Sequence, residues 1–600
     1  MGESNKAPLE ETKAQWFGHP RQLGRLFATE MWERFGFYGM RALLTLYLAQ
    51  HFLFRDYESS ALYGAFTSLV YLTPLIGGVL ADQYLGYKRA VKFGAILMAL
   101  GYFGLCFGGE MARPYMEWNE TRYSVRTEYR TELVQAKPVP VARQFVAIDG
   151  ESYLIYGQVD GSVKLIPSSA GGSERTLAKG LFKFDAERDP FWVNVMFFAL
   201  ACVIVGNGFF KPNISTIVGA LYSVGDRRRD AGFTIFYMGI NLGSMSAKLL
   251  CPLFQERFGF WAGFLLAAIG MFLAWCLFQF DQGRLKGYGE PPVEKSRWSM
   301  LIFLGAIASI PLIWLLLNNT LASAEAAASA ARSGSGIFGY LLALPILGKI
   351  LFTLYFSAVV GIPIWSYFAG TREEAEKTVV AVILVVFSVV FWTLFEQAGS
   401  SLTLFAKRNT DLQVGSFYQM PAGQVGFFNP FFIVLFAPLV SWLWISLAKF
   451  GLEPSIPVKF SIGLVLVGVG FLVLVEGTKH VDNQYRVALW WLVGIYFFHS
   501  IGELCLSPVG LSMITKLSMV RIVGLMMGVW FLSSAMAQYV GGMIAQSAAT
   551  ETVAGQVTNP EVALKTYATV YQSMGWWAIG FGFLLLILSP FLRRMMHGVK

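Results

Sequence analysis

Apolar runs of about twenty residues recur along almost the whole chain, and this feature constrains the fold more than any other. A run of ~20 residues forms a helix that crosses the ~30 Å hydrocarbon core of a bilayer. Only 14% of the 600 residues are charged, whereas soluble proteins carry about 25%. The chain lacks the charge to cover a water-facing surface, so the pattern predicts an all-α polytopic membrane protein.

Fourteen membrane spans are predicted from the apolar runs. They lie near 23–50, 59–81, 89–110, 190–222, 231–252, 258–280, 298–318, 337–368, 376–400, 426–448, 459–476, 487–515, 522–547 and 566–592. An even number places both termini on one side, and Lys and Arg are concentrated in the segments on that side, for example at 227–229 and 593–594. The positive-inside rule therefore predicts cytoplasmic termini. Because the basic residues follow this topology, the net charge of +9 does not indicate nucleic-acid binding.

The two central spans divide the chain into halves of six spans each. The segment 319–336, rich in Ala, Ser and Gly, predicts a flexible outer turn between the seventh and eighth spans. A 6+6 arrangement is typical of the major facilitator fold, which binds its substrate at the midplane between two bundles. The predicted domains are a cytoplasmic tail 1–22, a six-helix bundle 23–280, a linker 281–375 with two extra helices, a second six-helix bundle 376–592, and a tail 593–600.

The segment 111–189, between the third and fourth spans, is polar rather than membrane-spanning. Short alternating runs occur in it at Gln144–Ile148, Tyr153–Tyr156 and Ser162–Ile166, separated by the turn pairs Asp149-Gly150 and Asp160-Gly161. This pattern predicts small periplasmic β-hairpins. A disordered loop is the alternative, and nothing in the segment indicates catalysis.

The interior of the first span carries the charged residues Glu30, Glu33, Arg34 and Arg41, with Tyr38 between them. Helical spacing places them on one face. A charge at the bilayer centre costs ~2.5–3.5 kcal/mol even on insertion scales, so such residues are functional candidates. The alternative is a self-neutralised ladder that only holds helices together.

In later spans, Lys211, Glu396 and Glu503 are further charged candidates. A lysine deep in a bundle needs a carboxylate partner to keep its proton, and we expect Glu30 or Glu33 to be that partner of Lys211. In the second half, Glu396 and Glu503 are isolated acids.

This distribution places cations in the first bundle and a carboxylate in the second. A zwitterion with separated carboxylate and ammonium groups would complement it. Aromatic residues that lie among the charges are pocket candidates, although each of them is also compatible with plain helix packing: Trp32, Tyr38, Tyr71, Tyr237, Trp392 and Trp530. A carboxylate beside Lys211 in low dielectric would couple transport to protons.

Other classes of protein lack support. The sequence contains no GxxxxGK[ST] phosphate loop, no Gly-rich dinucleotide turn, no serine triad and no metal-ligand cluster, and its five cysteines form no CxxC pair. We therefore expect neither an enzyme nor a metal site, and no cofactor apart from protons as the coupling ion.

Several segments resemble motifs of the bacterial proton-dependent oligopeptide transporters (POT/PTR family, major facilitator superfamily). The stretch from Glu30 to Tyr38 is similar to that family's ExxERFxYY motif. Further similar segments are Tyr71–Asp82 with Gly86–Arg89, Phe233–Gly243, Phe391–Gln397, Asn429-Pro430, and Gly502–Leu504 with Ser507-Pro508. One departure is Gly64, which stands where mammalian relatives carry a histidine, so the glutamates would have to carry the coupling.

The resemblance implies two six-helix bundles plus an inserted helix pair, and a proton-coupled symporter that imports di- and tripeptides by alternating access. It further implies an inner-membrane location, and we expect a monomer. Arg34, Arg41 and Lys211 would hold the peptide carboxylate, and Glu503, Asn241 and Asn429 the ammonium. Tyr38, Tyr71, Tyr237, Trp392, Glu396, Ser507 and Trp530 would complete the substrate site. Glu30 and Glu33, with Arg34 and Lys211, would carry the proton.

Two alternatives stay open at this stage. The same fold could move another small anion such as nitrate, or a modified amino acid. A simple anion, however, has no ammonium group for Glu503 to hold. The second alternative is a peptide sensor that binds its ligand without transporting it.

Overall fold

The computed structural model describes residues 15–134, 137–169, 172–223, 226, 228–283, 285, 287–290, 298–332 and 336–599. Most of them are helical. The helices are α1 (Gln22–Gln50), α2 (Asp56–Leu80), α3 (Tyr87–Gly104), α4 (Pro190–Ala220), α5 (Arg229–Phe258), α6 (Phe260–Gln279), α7 (Ser299–Arg332), α8 (Gly336–Ala343), α9 (Ile346–Ala369), α10 (Arg372–Phe395), α11 (Ser401–Asn409), α12 (Phe428–Lys449), α13 (Ile456–Gly477), α14 (Leu489–Leu517), α15 (Val523–Ser547) and α16 (Pro560–Met595).

Eleven helices in the described part of the chain are long and apolar enough to cross a membrane. The long helices α1, α3 and α5 are not among these eleven. In α1 and α3 charged side chains interrupt the apolar sequence, which lowers the hydropathy of any window. The structure thus supports a polytopic helical membrane protein, while the count of fourteen spans stays a prediction.

The helices pack in two groups that follow chain order. Helices α1 to α6 contact one another, as do α10 and α12 to α16. Helix α7 packs on α2 and α4 of the first group, and α9 packs on α10 and α15 of the second. Across the two groups α2 packs closely on α15. At this crossing a Cβ atom on Gly64 would lie 2.8 Å from Cα of Gly542, so the two backbones touch only because both residues lack a side chain. Any larger residue at Gly64 would separate these helices.

Seven antiparallel strands follow α3 and form one sheet. They are β1 (Arg113–Trp118), β2 (Thr121–Val134), β3 (Lys137–Ile148), β4 (Glu151–Gly157), β5 (Val163–Pro167), β6 (Arg175–Leu177) and β7 (Phe182–Glu187). The order across the sheet is β6-β5-β4-β3-β2-β1-β7. The predicted turn at Asp149-Gly150 joins β3 to β4, and both residues have positive φ, +52° and +83°. These angles are those of a two-residue type I′ hairpin, in which such residues are favoured.

The sheet contacts both helix groups. On the first, Asp185 of β7 forms an ion pair of 3.1 Å with Arg55, which precedes α2. On the second, the N–H of Gly157 donates to the carbonyl of Thr558 (3.1 Å), and Asn559 Nδ2 donates to the carbonyl of Gly157 (2.8 Å). The sheet formed by segment 111–189 therefore contacts both halves of the protein.

The prediction of a flexible turn at 319–336 is wrong for residues 319–332 and 336, the part that the structure describes. Helix α7 continues to Arg332, because the Ala-rich sequence after Asn319 has the highest helix propensity of any composition; residues 333–335 lie outside the described residues. The predicted single span 337–368 is divided into α8 and α9, and Pro345 stands directly before the first residue of α9. A proline is favoured at a helix start and disfavoured inside a helix.

Helix α10 ends at Phe395, within the predicted span 376–400. A 3₁₀ turn, Glu396–Gly399, follows and leads into α11. The turn places Glu396 directly after the last residue of α10. Helix α11, which carries Arg408, begins after the turn.

Candidate functional site

A cavity of about 330 Å³ lies between the two helix groups. Its walls come from α1, α2, α4 and α5 on one side and from α10, α12 and α14 on the other. The predicted site residues that line it are Glu30, Arg34, Tyr38, Arg41, Tyr71, Lys211, Tyr237, Asn241, Trp392, Glu396, Asn429, Glu503 and Ser507. The structure thus brings together side chains that lie more than 470 positions apart in the sequence.

Glu33 and Trp530 of the predicted site, and Trp32 of the pocket candidates, do not line the cavity. Glu33 is fully buried on α1. Trp530 is half-buried on α15, and a Cβ atom on Gly510 of α14 would lie 2.4 Å from its ring. The indole therefore fills the space that Gly510 leaves between α14 and α15, which is a packing position.

On α1, Arg34 forms ion pairs with both Glu30 and Glu33. Arg34 Nε lies 3.1 Å from Glu30 Oε1, and Arg34 Nη2 donates to Glu33 Oε1 over 3.0 Å. All three side chains are at most 4% exposed. One guanidinium is therefore held between two buried carboxylates.

Lys211 does not form the ion pair that the sequence predicted. No carboxylate oxygen among the described residues lies within 4.0 Å of its ammonium, which instead lies 4.4 Å from the ring centroid of Tyr71. Arg34 lies one helical turn from Glu30, at the i,i+4 spacing where side chains on one face meet, and it also reaches Glu33, its neighbour in sequence. Lys211 therefore presents an unpaired cation to the cavity, held by a cation–π contact.

Arg41 links the two halves across the cavity. Its guanidinium forms an ion pair with Glu396 and donates from Nε to the hydroxyl of Tyr63 over 2.6 Å. The prediction that Glu396 is an isolated acid is therefore wrong. The partner lies on a helix 355 residues away, and the turn that ends α10 directs Glu396 towards it.

Glu503 is a cavity acid of the second half, and no cation among the described residues forms an ion pair with it. Its Oε2 accepts a hydrogen bond of 3.0 Å from Asn429 Nδ2, which also donates to Ser500 Oγ over 3.1 Å. Asn241 donates to the carbonyl of Tyr237 on its own helix, at 3.1 Å. Glu503 thus keeps acceptor capacity that faces the cavity.

The sequence analysis missed Lys248. This residue of α5 lines the cavity, and its ammonium lies 5.3 Å from the ring centroid of Tyr38. The signal was present, since Lys248 falls within the predicted span 231–252, where any charged side chain is a functional candidate. Polar lining residues that the sequence analysis also missed are Tyr63, Ser244, Thr403 and Tyr496.

A second set of charged contacts joins the two halves at the end where α1 leads into α2. Arg408 of α11 binds both carboxylate oxygens of Asp56, over 2.6 and 2.7 Å. Thr550 donates to Asp56 Oδ2 from its N–H and from its hydroxyl, each over 3.0 Å, and Tyr567 accepts from Arg408 over 3.4 Å. We call these four residues the Asp56 seam. It closes this end of the interface between the halves.

Comparison with known proteins gives the same fold along the whole chain. A permease named "Dipeptide and tripeptide permease A" from Salmonella typhimurium is 28% identical over 99% of this chain and 97% of its own length. "Dipeptide and tripeptide permease B" from Aliivibrio fischeri is 27% identical over 98% and 97%. A solved structure described as peptide transporter POT in complex with sulfate matches with a TM-score of 0.70, at 28% identity and 98% coverage of both chains.

The family model matches the central and C-terminal parts of the chain. The matched residues, 175–561, carry the description "POT family" and make up more than half of the sequence. They include Lys211, Lys248, Glu396 and Glu503 from the cavity. The chain belongs to the POT family.

Proposed function

We propose that this protein is a proton-coupled symporter that imports di- and tripeptides by alternating access. The observation that carries the proposal is a cavity between two helix groups with an unpaired ammonium, Lys211, on one wall and an unpaired carboxylate, Glu503, on the other. A peptide is a zwitterion whose two charged ends complement these groups. The names of the relatives, dipeptide and tripeptide permeases, support the same substrate class.

In this mechanism the peptide carboxylate binds near Lys211 and Arg34, and its ammonium near Glu503 and Asn429. Each contact exchanges water for a charge-assisted hydrogen bond in a site of low dielectric. The aromatic rings of Tyr38, Tyr71, Tyr237 and Trp392 surround the side chains, and such surfaces accept different side chains without specific polar contacts.

The proton enters through the carboxylates that hold Arg34. Protonation of Glu30 or Glu33 removes one of the two anions beside the guanidinium. Arg34 is then free to bind the peptide carboxylate, so that proton and peptide binding favour each other. A net positive charge that moves inward gains ~2.3 kcal/mol per 100 mV of membrane potential.

Alternating access then requires the Asp56 seam to open. Helices α1 and α10 each begin at the predicted cytoplasmic side, so Asp56 and Arg408 would both lie at the periplasmic end. We propose fourteen spans, both termini in the cytoplasm, an inner-membrane location, a periplasmic sheet domain and a monomer as the transporting unit.

The test is dialanine uptake into liposomes that contain only this protein, with an inward proton gradient and a negative interior potential. We expect uphill accumulation that a protonophore abolishes. Lys211→Ala should abolish accumulation, and unchanged uphill uptake in this variant would remove Lys211 from the mechanism. Absence of dialanine uptake together with uptake of nitrate or free amino acids would overturn the peptide assignment, and binding of dialanine without uptake would favour a sensor.

A further inference from the structure

Lys248 is a cation of the cavity for which the mechanism above has no role. Its ammonium contacts the ring of Tyr38 at 5.3 Å and has no carboxylate oxygen within 4.0 Å among the described residues. The side chain crosses from α5 to the second half, where a Cβ atom on Gly426 would lie 3.8 Å from its Nζ. The absence of a side chain at Gly426 leaves the ammonium room at the boundary of the two halves.

Among the described residues, two of the four cations of the cavity form ion pairs, and two do not. Arg34 is held by Glu30 and Glu33, and Arg41 is held by Glu396. The groups that remain without an oppositely charged partner are the ammonium groups of Lys211 and Lys248 and the carboxylate of Glu503. A neutral dipeptide supplies one anion and one cation, and therefore leaves one lysine unpaired.

The position of Lys248 separates it from the groups assigned to the peptide backbone. It lies seven residues beyond Asn241 on α5, which is about 10 Å along the helix axis. Arg41 is near both lysines, Glu396 and Glu503 are near Lys248, and Arg34, Glu33 and Glu30 are near Lys211. Two separated ammonium groups suit a ligand with two separated carboxylates.

We propose that Lys248 binds the side-chain carboxylate of an acidic residue in the substrate, which makes peptides containing Asp or Glu the preferred substrates of this protein. The inference rests on the proposed peptide transport and adds the substrate class to it. An acidic dipeptide brings two anions and one cation, which matches the three unpaired groups. A charge-assisted hydrogen bond in this setting corresponds to about a tenfold gain in affinity.

The competing role for Lys248 is electrostatic balance alone. A cation between Glu396 and Glu503 lowers the cost of burying two carboxylates in one site. In that case its removal would weaken the binding of all peptides by the same factor, whatever their side chains. Side-chain selectivity therefore separates the two roles.

The experiment measures inhibition of dialanine uptake at pH 7, where an acidic side chain is ionised. The competitors are Ala-Glu and Glu-Ala, their amide counterparts Ala-Gln and Gln-Ala, and Ala-Lys. The variants are Lys248→Gln, Lys248→Arg, and Lys516→Gln as a control for an exposed lysine outside the cavity. Gln keeps the approximate length and polarity of the side chain but removes the charge.

In the unmodified protein we expect at least one acidic peptide to bind about tenfold more tightly than its amide counterpart. Lys248→Gln should reduce this ratio to near one, measured against the variant's own dialanine uptake, Lys248→Arg should retain part of it, and Lys516→Gln should retain all of it. Dialanine uptake with an acid-to-amide ratio near one in the unmodified protein would overturn the role of Lys248 and leave peptide transport standing. An unchanged ratio in Lys248→Gln would do the same. Absence of dialanine uptake in the unmodified protein would overturn both proposals.

Discussion

The Asp56 seam and the central cavity both join the two halves of the protein through charged residues, but they do so in opposite ways. In the seam, Asp56 and Arg408 are 1% and 3% exposed and bind each other through two contacts, with Thr550 and Tyr567 completing their hydrogen bonds. In the cavity, two lysines and one glutamate have no charged partner. A buried charge that is fully paired holds a structure together, whereas an unpaired one is available to a ligand.

Two short stretches of chain connect the seam with the cavity. The 3₁₀ turn after α10 carries Glu396, which pairs with Arg41 in the cavity, and α11 directly after it carries Arg408. Helix α2 carries Asp56 of the seam and Tyr63 of the cavity.

The largest loss of stability is expected when the ion pair between Arg408 and Asp56 is removed. Arg408→Ala leaves the Asp56 carboxylate buried without its cation, which costs about 3–5 kcal/mol. The protein should unfold at a clearly lower temperature in detergent, and Lys407→Ala, which changes the exposed neighbour on the same helix, should not. A double variant, Asp56→Asn with Arg408→Gln, should recover part of the loss. Equal melting temperatures for Arg408→Ala and Lys407→Ala would show that the seam carries no stability.

A smaller effect is expected from the paired charges of the cavity. Glu396→Gln removes the anion from Arg41, which keeps its hydrogen bond to Tyr63. Loss of a hydrogen bond to a charged group costs about 1.5–3 kcal/mol. We therefore expect dialanine uptake to fall by about tenfold or more. The melting temperature should fall less than in Arg408→Ala. Glu373→Gln, an exposed acid at the start of the same helix, serves as the control. A larger loss of stability than in Arg408→Ala would reverse the contrast between seam and cavity.

The unpaired carboxylate of the cavity should affect binding without affecting folding. Glu503→Gln keeps the shape of the side chain, and its carbonyl can still accept from Asn429. We expect dipeptides with a free amino terminus to bind about tenfold more weakly, and N-acetylated dipeptides to bind nearly as before. Inhibition of dialanine uptake by both kinds of peptide measures this difference. Equal losses for the two kinds would remove Glu503 from ammonium recognition.

The smallest effect is expected at the sheet domain, where an ion pair is partly exposed. Burial alone raises the pKa of Asp185, but the N–H of Ala186 and the guanidinium groups of Arg188 and Arg55 outweigh it and hold this pKa below its ordinary value. A lowered pKa contributes stability that is present above pH ~3.9, the unfolded value, and is lost as pH falls through the folded pKa.

The contact should therefore weaken only in acid. Hydrogen exchange in β1 and β7, corrected for its intrinsic pH dependence, should accelerate as the pH falls from 6 to 3, by an amount equivalent to about 1 kcal/mol or less. Asp185→Asn should remove most of this dependence, and Glu187→Gln, an exposed acid of the same strand, should retain it. A dependence that persists in Asp185→Asn would assign it to other carboxylates.

Much of the helical fold and most of the candidate site were predictable from residue type and spacing. Charged side chains inside apolar runs are rare because burying them is costly, so Glu30, Arg34, Lys211 and Glu503 stood out without any knowledge of the fold. The same criterion would have found Lys248 if it had been applied to every span. Local chemistry also predicted the hairpin at Asp149-Gly150, where the required positive φ restricts the residue types.

The errors arose where a local pattern was ambiguous. The Ala-rich segment after Asn319 was predicted to form a turn, although alanine is the residue with the highest helix propensity, and α7 continues through it. Trp530 was predicted to line the site, but an aromatic residue in a span packs against a neighbouring glycine as readily as it lines a cavity.

The sequence by itself determined that the protein lies in a membrane, which residues in its spans are charged, and where two hairpin turns of the polar segment lie, at Asp149-Gly150 and Asp160-Gly161. Only the tertiary structure decided which charges meet. Arg34 rather than Lys211 holds the glutamates, Arg41 reaches Glu396, and Asp56 reaches Arg408. The physical reason is range: helical periodicity and hydropathy act over a few residues, whereas an ion pair depends on the positions of helices that lie hundreds of residues apart. The function proposed for this protein rests on the charges that this packing leaves unpaired.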